Sequence, residues 1–137
     1  MDSGHRAVPH TADIRIEAWA PTREECVAQA VRGLVESFAD VSRAVPTDTT
    51  TFEVTAETVE DRLVAVLDEV LFLLDTQDVL PLSAVIEPTD GGDTVRFEVT
   101  GLDQVELVGT APKAISLHEL RIEEGPDGWS CGVTVDV

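Results

Sequence analysis

The sequence predicts an α+β domain in which two helices pack on a mostly antiparallel sheet. In the first half of the chain, β-like segments alternate with two segments that have apolar residues at helical spacing. In the second half, β-like segments follow one another across glycine-containing turns, as in antiparallel hairpins. The 137 residues suit one domain, 1–137, with the predicted order β-α-β-α-β-β-(β)-β-β.

The first predicted strand and helix are adjacent in the chain. Apolar and polar residues alternate within residues 13–20, which indicates a strand with one buried face. Thr22 and Glu25 then form a capping box, and apolar residues at helical spacing predict an amphipathic helix over about 22–39. Gly33 within this helix indicates a close packing contact, because glycine otherwise weakens a helix.

The second helix has the wider apolar stripe. It follows a predicted strand at 50–56, which is rich in β-branched residues. The helix begins after Thr58 and ends near Gln77, before Pro81, and we expect it to form the centre of the core. The later predicted strands lie at 82–87, 94–100, 104–109 (a short one), 114–123 and 129–137, with turns at Asp90–Asp93 and Gly125–Gly128.

Charge composition excludes several function classes. Nine Lys and Arg face 27 Asp and Glu, giving a net charge of −18, so autonomous binding to nucleic acid or anionic lipid is disfavoured. Cations or basic protein surfaces suit such a chain better. The sequence has no run of 18 apolar residues and no signal-like start, and we expect no membrane association and a cytoplasmic location.

The two cysteines do not form a metal or redox motif. Cys26 and Cys131 are far apart in the sequence, and no CxxC pair is present. Two free thiols in a reducing compartment are favoured, while a disulfide between them stays open. The sequence also lacks a glycine-rich phosphate loop and a GxSxG nucleophile turn.

Three polar clusters are the candidate functional segments. The first contains His10 and Asp13, directly before a predicted strand, and the second contains Lys113 and His118 around the start of another. Lys113 is the lone lysine beside eight arginines, which suggests a site that needs a compact ammonium group. The third cluster is the tail, where Asp136 precedes the terminal carboxylate of Val137.

Carboxylate oxygens in two of these clusters predict a cation site. Asp13, Asp136 and the Val137 terminus could together hold Mg²⁺, Ca²⁺ or Mn²⁺, which prefer oxygen ligands. The prediction requires the first and last strands to be neighbours. Lys113 would then partly offset the repulsion between the carboxylates.

Several segments, taken together, resemble the archease family. They are Pro9–Asp13, the helical segment Leu63–Thr76, Lys113–His118, and Trp129 with Val135–Val137, and they span nearly the whole chain in order. Two positions depart from the family pattern. Ser116 keeps a hydroxyl where the family often has Thr, and Leu117 stands where it often has Tyr.

The resemblance implies an accessory protein and not an enzyme. Archeases assist the GTP- and Mn²⁺-dependent RNA ligase that joins 2′,3′-cyclic-phosphate or 3′-phosphate ends to 5′-hydroxyl ends in tRNA splicing and RNA repair. They promote guanylylation and multiple turnover of the ligase, through acidic residues and a divalent cation. By motif position Asp13 and Asp136 are the implied carboxylates, with the Val137 terminus nearby. His10 and Lys113 are implied members of second rank, and His118 is one of third rank.

Two other functions stay open at the level of sequence. A metal-dependent phosphoester hydrolase could use the same carboxylates, although the sequence offers no clear general base. A chaperone-like adaptor with an incidental metal is the other alternative. Activity of the isolated chain on a phosphoester would favour the hydrolase.

Overall fold

The computed structural model describes residues 2–9 and 13–137. Within these residues lie nine strands, two α-helices and a short 3-10 turn at Leu102–Gln104. The elements are β1 (Gly4–Pro9), β2 (Asp13–Ala20), α1 (Arg23–Glu36), β3 (Ala39–Asp40), β4 (Asp48–Thr55), α2 (Val59–Gln77), β5 (Val79–Thr89), β6 (Gly92–Gly101), β7 (Glu106–Leu107), β8 (Ala114–Gly125) and β9 (Gly128–Asp136).

The strands form three antiparallel sheets. One has the order β1-β2-β9-β8, the second β4-β6-β5, and β3 pairs with β7 in a third of two strands. The α+β class and the antiparallel pairing are therefore confirmed. The sequence predicts a single mostly antiparallel sheet, whereas the strands are divided among three sheets. β1 and β3 were not predicted at all.

Both helices begin as their capping residues predict. Thr22 Oγ1 accepts the Glu25 N–H at 3.1 Å, and Thr58 Oγ1 accepts the Asp61 N–H at the same distance. The α2 helix ends at Gln77, as expected, whereas α1 ends at Glu36, three residues before its predicted end. Their first turns carry acidic residues, which the positive end of the helix dipole stabilises.

The core lies between the helices and the inner faces of the two larger sheets. Helix α1 contacts β2 and β5, and α2 contacts β8 and β5, so each helix joins the two sheets. Gly33 allows the closest approach in this layer: a Cβ there would lie 2.9 Å from Ile16 Cγ2 and 3.2 Å from His5 Cβ. The close packing contact expected at Gly33 is thus present. The largest fully buried side chains include Phe38, Phe97, Ile16, Leu34, Leu63, Leu67, Leu73 and Leu80.

Asp93 does not belong to the turn in which the sequence placed it. The β5–β6 turn is made by Asp90 and Gly91, and Asp93 lies in β6, fully buried. Its two carboxylate oxygens accept hydrogen bonds from the Arg23 guanidinium, at 2.6 and 3.2 Å. This ion pair ties the start of α1 to the three-stranded sheet.

The two cysteines are free and buried in the core. Cys131 lies opposite Ala18 in the β2–β9 ladder, and the Cys26 thiol donates to the Ala18 carbonyl at 3.6 Å. The neighbouring Cys131 thiol and burial raise the pKa of Cys26. The two thiols are therefore neighbours, and Cys26 stays protonated as a small apolar side chain.

No helix in the described part of the chain is long and apolar enough to cross a membrane.

Candidate functional site

Asp13 and Asp136 face each other across two neighbouring strands. Asp13 begins β2, Asp136 ends β9, and the two residues are direct partners in the antiparallel register. Side chains so paired have Cβ atoms about 4.5–5.5 Å apart. The first predicted strand and the last are therefore neighbours, as the cation prediction requires. We call Asp13 and Asp136 the acid pair.

One oxygen of the acid pair lacks a hydrogen-bond partner. Asp13 Oδ1 is buried, and no described residue donates to it, whereas Asp136 is exposed. An unsatisfied buried polar atom costs about 1–3 kcal/mol, and directly opposed like charges add to that cost. A cation bound between the carboxylates would offset both unfavourable contributions.

Lys113 lies beside the acid pair. Its backbone N–H donates to the Asp136 carbonyl at 2.7 Å, and the next residue, Ala114, is the register partner of Asp136 on β8. The Lys113 side chain is exposed, so its ammonium group is free to approach either the carboxylates or a partner. Three chain segments therefore meet in this row of the sheet.

The donor set suits a hard divalent cation that keeps part of its water shell. Mg²⁺, for example, is bound in many proteins by one or two carboxylates and several waters. Among residues 2–9 and 13–137, no group of three His, Cys, Asp or Glu is placed to hold a metal. Val137, half-buried directly after β9, stays a predicted source of a further oxygen.

Of the two histidines predicted to belong to the functional cluster, the structure describes one. His10 lies outside the described residues. His118 is exposed, and its Nε2 lies 3.5 Å from Glu119 Oε1, while its backbone N–H donates to Ser116 Oγ. These described contacts of His118 are with its own strand and not with the acid pair.

Sequence reasoning missed Arg15, which lies two residues after Asp13 on β2. Its Nη1 donates to Thr134 Oγ1 at 3.0 Å, and its Nη2 donates to the Glu119 carbonyl at 2.8 Å. Gly132 leaves the space for this guanidinium, since a Cβ there would collide with it. Arg15 thereby links β2, β9 and β8. An arginine in an alternating strand is typical of a solvated face, so the pattern contains no signal for this role.

The β8–β9 ladder is interrupted next to Thr134. Ser116 pairs with Thr134 and Arg121 pairs with Gly132, so four residues of β8 face the single residue Val133. A regular ladder would place one residue there, and β8 therefore contains a bulge of three extra residues. Within it Glu119 has a positive φ of 54°. We call Leu117–Glu119 the β8 bulge.

A groove lies elsewhere on the molecule, and the acid pair does not line it. It measures about 780 Å³ and is open to solvent, between the end of α1, β3 and the start of β5. Asp40 lies in it, and the backbone N–H and side chain of Ser42 hold the pKa of Asp40 below its usual range. No convergent set of catalytic groups lines this groove, so it is a weaker candidate than the acid pair.

Fold and site together define a class: small α+β proteins that present a pair of carboxylates at one end of a central strand pair. Comparison with known proteins narrows the class. Residues 5–137 match the model of the archease protein family (MTH1598/TM1083). The chain belongs to the archease family.

Individual relatives agree with this assignment. The chain is 52% identical over 135 residues to "Probable protein archease" of Mycobacterium tuberculosis (strain CDC 1551 / Oshkosh), covering 98% of this chain and 75% of the relative. It is 31% identical to "Protein archease" of Archaeoglobus fulgidus over 97% of this chain and 98% of the relative.

Two solved structures have the same fold. The solution structure of Methanobacterium thermoautotrophicum protein 1598 matches with a TM-score of 0.77 at 24% identity, over 98% of this chain and 99% of that one. The crystal structure of a Thermotoga maritima archease, described as a possible chaperone, matches with a TM-score of 0.68 at 22% identity, over 95% and 94%. The predicted family and fold class are thus confirmed.

Proposed function

We propose that this chain is the accessory protein of a GTP- and Mn²⁺-dependent RNA ligase. In this role it promotes guanylylation and multiple turnover of the ligase that joins 2′,3′-cyclic-phosphate or 3′-phosphate RNA ends to 5′-hydroxyl ends, without catalysing a reaction itself. Membership of the archease family supports the proposal. Its setting would be tRNA splicing or RNA repair in the cytoplasm.

The observation that carries this proposal is the acid pair with its unpartnered oxygen. Asp13 and Asp136 come from strands that are remote in sequence, and the register places them side by side. A protein selected for stability alone would gain by replacing one of two opposed carboxylates. Both carboxylates are present, and Asp13 Oδ1 is buried without a donor among residues 2–9 and 13–137, which is the arrangement expected of a cation ligand.

A divalent cation at the acid pair would be Ca²⁺, Mg²⁺ or Mn²⁺, held by Asp13 and Asp136 with the Val137 carboxylate in reach. When bound, it would supply a positive charge that neutralises the pair and can attract phosphate oxygens. Lys113, beside the pair, would contribute a second positive charge on the same side. This chain's own residues would therefore present a compact, cation-binding tip to the nucleotide pocket of the ligase.

Net charge favours a protein over RNA as the direct partner. At −18 the chain repels a phosphate backbone, so the ligase is expected to hold the RNA. A positively charged ligase surface would instead attract this chain and speed their encounter.

A chaperone-like adaptor is the second candidate, favoured by the description of the Thermotoga maritima structure as a possible chaperone. An adaptor would not need the acid pair, and its effect on a partner would survive removal of the divalent cation. A hydrolase is the third candidate, and it predicts turnover of a phosphoester by the isolated chain.

The test is a guanylylation assay of the ligase from the same organism, with GTP and Mn²⁺, in the presence and absence of this chain. We expect this chain to raise the yield of ligase–GMP and to allow repeated RNA joining. The Asp13→Asn and Asp136→Asn variants should lose this stimulation while keeping the circular dichroism spectrum of the parent. Asp127→Asn, in the exposed turn at the other end of β9, is the matched control and should stimulate fully.

Two results would reject the proposal. Full stimulation by both acid-pair variants would show that the acid pair is not needed to stimulate the ligase. Absence of any stimulation by the unmodified chain, with phosphoester hydrolysis by the chain alone, would favour the hydrolase instead.

A further inference from the structure

The β8 bulge is held rigidly, although its side chains project into solvent. The Ser116 hydroxyl accepts the His118 N–H at 3.1 Å, and the Arg15 guanidinium donates to the Glu119 carbonyl at 2.8 Å. Leu120, directly after the bulge, packs against the core. The bulge is therefore fixed at its start, its tip and its end.

The side chains that the bulge presents are exposed. Leu117 is 70% exposed, the most exposed of the large apolar side chains in the described part of the chain, and the side chain of His118 is 77% exposed. Glu119 adopts a left-handed conformation, which is unfavourable for a residue other than glycine. The strand pairing does not require this conformation, because a regular ladder needs three residues fewer.

The bulge adjoins the acid pair on the same sheet. Ser116, its first anchor, pairs with Thr134, and Ala114 pairs with Asp136, two residues along each strand. Arg15, the second anchor, lies two residues after Asp13 on β2. Leu117, directly after Ser116, therefore lies three positions along β8 from the residue paired with Asp136.

We propose that the β8 bulge is the docking element for the RNA ligase, with Leu117 entering an apolar pocket on a positively charged ligase surface; this inference rests on the proposed function. Preorganisation supports it, because a side chain that is already held in place loses little freedom on binding. Charge complementarity favours a positively charged partner surface, since the chain as a whole carries a net charge of −18. An RNA strand would be repelled by this net charge.

The first test separates docking from stimulation. The ligase is titrated with this chain, and the concentration for half-maximal ligase–GMP formation is measured together with the plateau. Leu117→Ser should raise the half-maximal concentration roughly tenfold or more, as expected for the loss of one buried leucine, and leave the plateau unchanged. Val45→Ser is the matched control, since Val45 is 68% exposed in another loop, and it should change neither quantity.

A deletion of residues 117–119 gives a second test that does not depend on one side chain. It would restore a regular ladder, with Leu120 opposite Val133 on the core side of the sheet. We expect this variant to fold, to show the same divalent-cation affinity as the parent by calorimetry with Mn²⁺ alone, and to bind the ligase at least tenfold more weakly.

The outcomes distinguish the two proposals. If the unmodified chain stimulates the ligase and neither bulge variant shifts the half-maximal concentration, the docking inference is wrong and the proposed function stands. If the unmodified chain does not stimulate, the proposed function itself fails. If the bulge variants lose affinity for a tRNA transcript but not for the ligase, the bulge is an RNA contact and the inference is overturned.

Discussion

Asp93 and Asp13 both have carboxylate oxygens that the fold removes from water, and they differ in what faces those oxygens. Both oxygens of Asp93 accept hydrogen bonds from Arg23 in a buried ion pair. Asp13 Oδ1 has no donor within the described residues, and Asp13 lies opposite a second acidic residue, Asp136, in the ladder. Burial of a carboxylate is therefore a poor indicator of a functional site, whereas an unsatisfied buried oxygen is a good one.

The difference predicts opposite responses to the same substitution. Asp93 stabilises the fold through its ion pair with Arg23, and neutralising it should reduce the free energy of unfolding. Asp13 belongs to the proposed cation site, and neutralising it should leave the fold intact while removing cation binding. The following experiments test this contrast, from the largest expected effect to the smallest.

Asp93→Asn should reduce the free energy of unfolding by about 3–5 kcal/mol, because it removes the close, buried counter-charge of the Arg23 guanidinium and leaves only Glu24 Oε1, 3.9 Å away. Urea unfolding followed by circular dichroism measures the change. Asp90→Asn, in the adjacent exposed turn, should stay within about 0.5 kcal/mol of the parent. A loss below about 1 kcal/mol for Asp93→Asn would contradict the structural importance of the ion pair.

Addition of Mn²⁺, Mg²⁺ or Ca²⁺ should stabilise the parent chain and not Asp13→Asn. A ligand at a hundred times its Kd contributes about 2.7 kcal/mol, which a thermal melt detects as a rise in Tm. The three cations are compared at one ionic strength, so that general screening is constant. An equal rise in both proteins would place the binding elsewhere on this acidic chain.

Without a divalent cation, Asp13→Asn should be as stable as the parent or more stable by up to about 1 kcal/mol. The substitution removes the repulsion between opposed carboxylates. Chelator-treated protein is unfolded in urea at low salt, where this repulsion is strongest. A loss as large as that of Asp93→Asn would show that Asp13 has a structural partner after all.

The smallest effect concerns Glu69 on α2, where partial burial raises the pKa of the carboxyl group. A raised pKa in the folded state means that the charged form opposes folding. The penalty is present near neutral pH and is relieved as pH falls through the raised pKa. Glu69→Gln should therefore raise Tm slightly at pH 7 and leave it unchanged below about pH 4. A variant that raises Tm equally at both pH values would act through packing and not through charge.

The sequence predicts the helices and the longer strands well because their signals are local. Thr22 and Thr58 cap helices whose apolar spacing continues for several turns. By contrast β1 lacks a local signal: its six residues include a histidine, an arginine and a proline, and it is a strand because β2 provides the pairing partner. The division into three sheets likewise depends on contacts between remote segments.

The candidate site likewise contains some residues that the sequence identifies and others that only the structure reveals. Asp13, Asp136 and Lys113 were identifiable because they stand out in composition or position and match family motifs. Arg15 and the β8 bulge were not identifiable. Arg15 fits a polar position of an alternating strand, and the single break in alternation at His118 and Glu119 does not reveal three extra residues. Asp93 resembled a turn residue beside two glycines, and only the fold shows that Arg23 reaches it.

The central position of β9 has a consequence for how the molecule is assembled. β9 lies between β2 and β8, so the first hairpin and the eighth strand share a sheet only once this late strand has been inserted. Its pairing with β2 spans more than a hundred positions, and such distant pairing is slow to form. Until then, β2 leaves an open hydrogen-bonding edge on the growing chain. The acid pair exists only when β2 and β9 are paired, so a chain that has not yet formed this pairing would lack the proposed cation site.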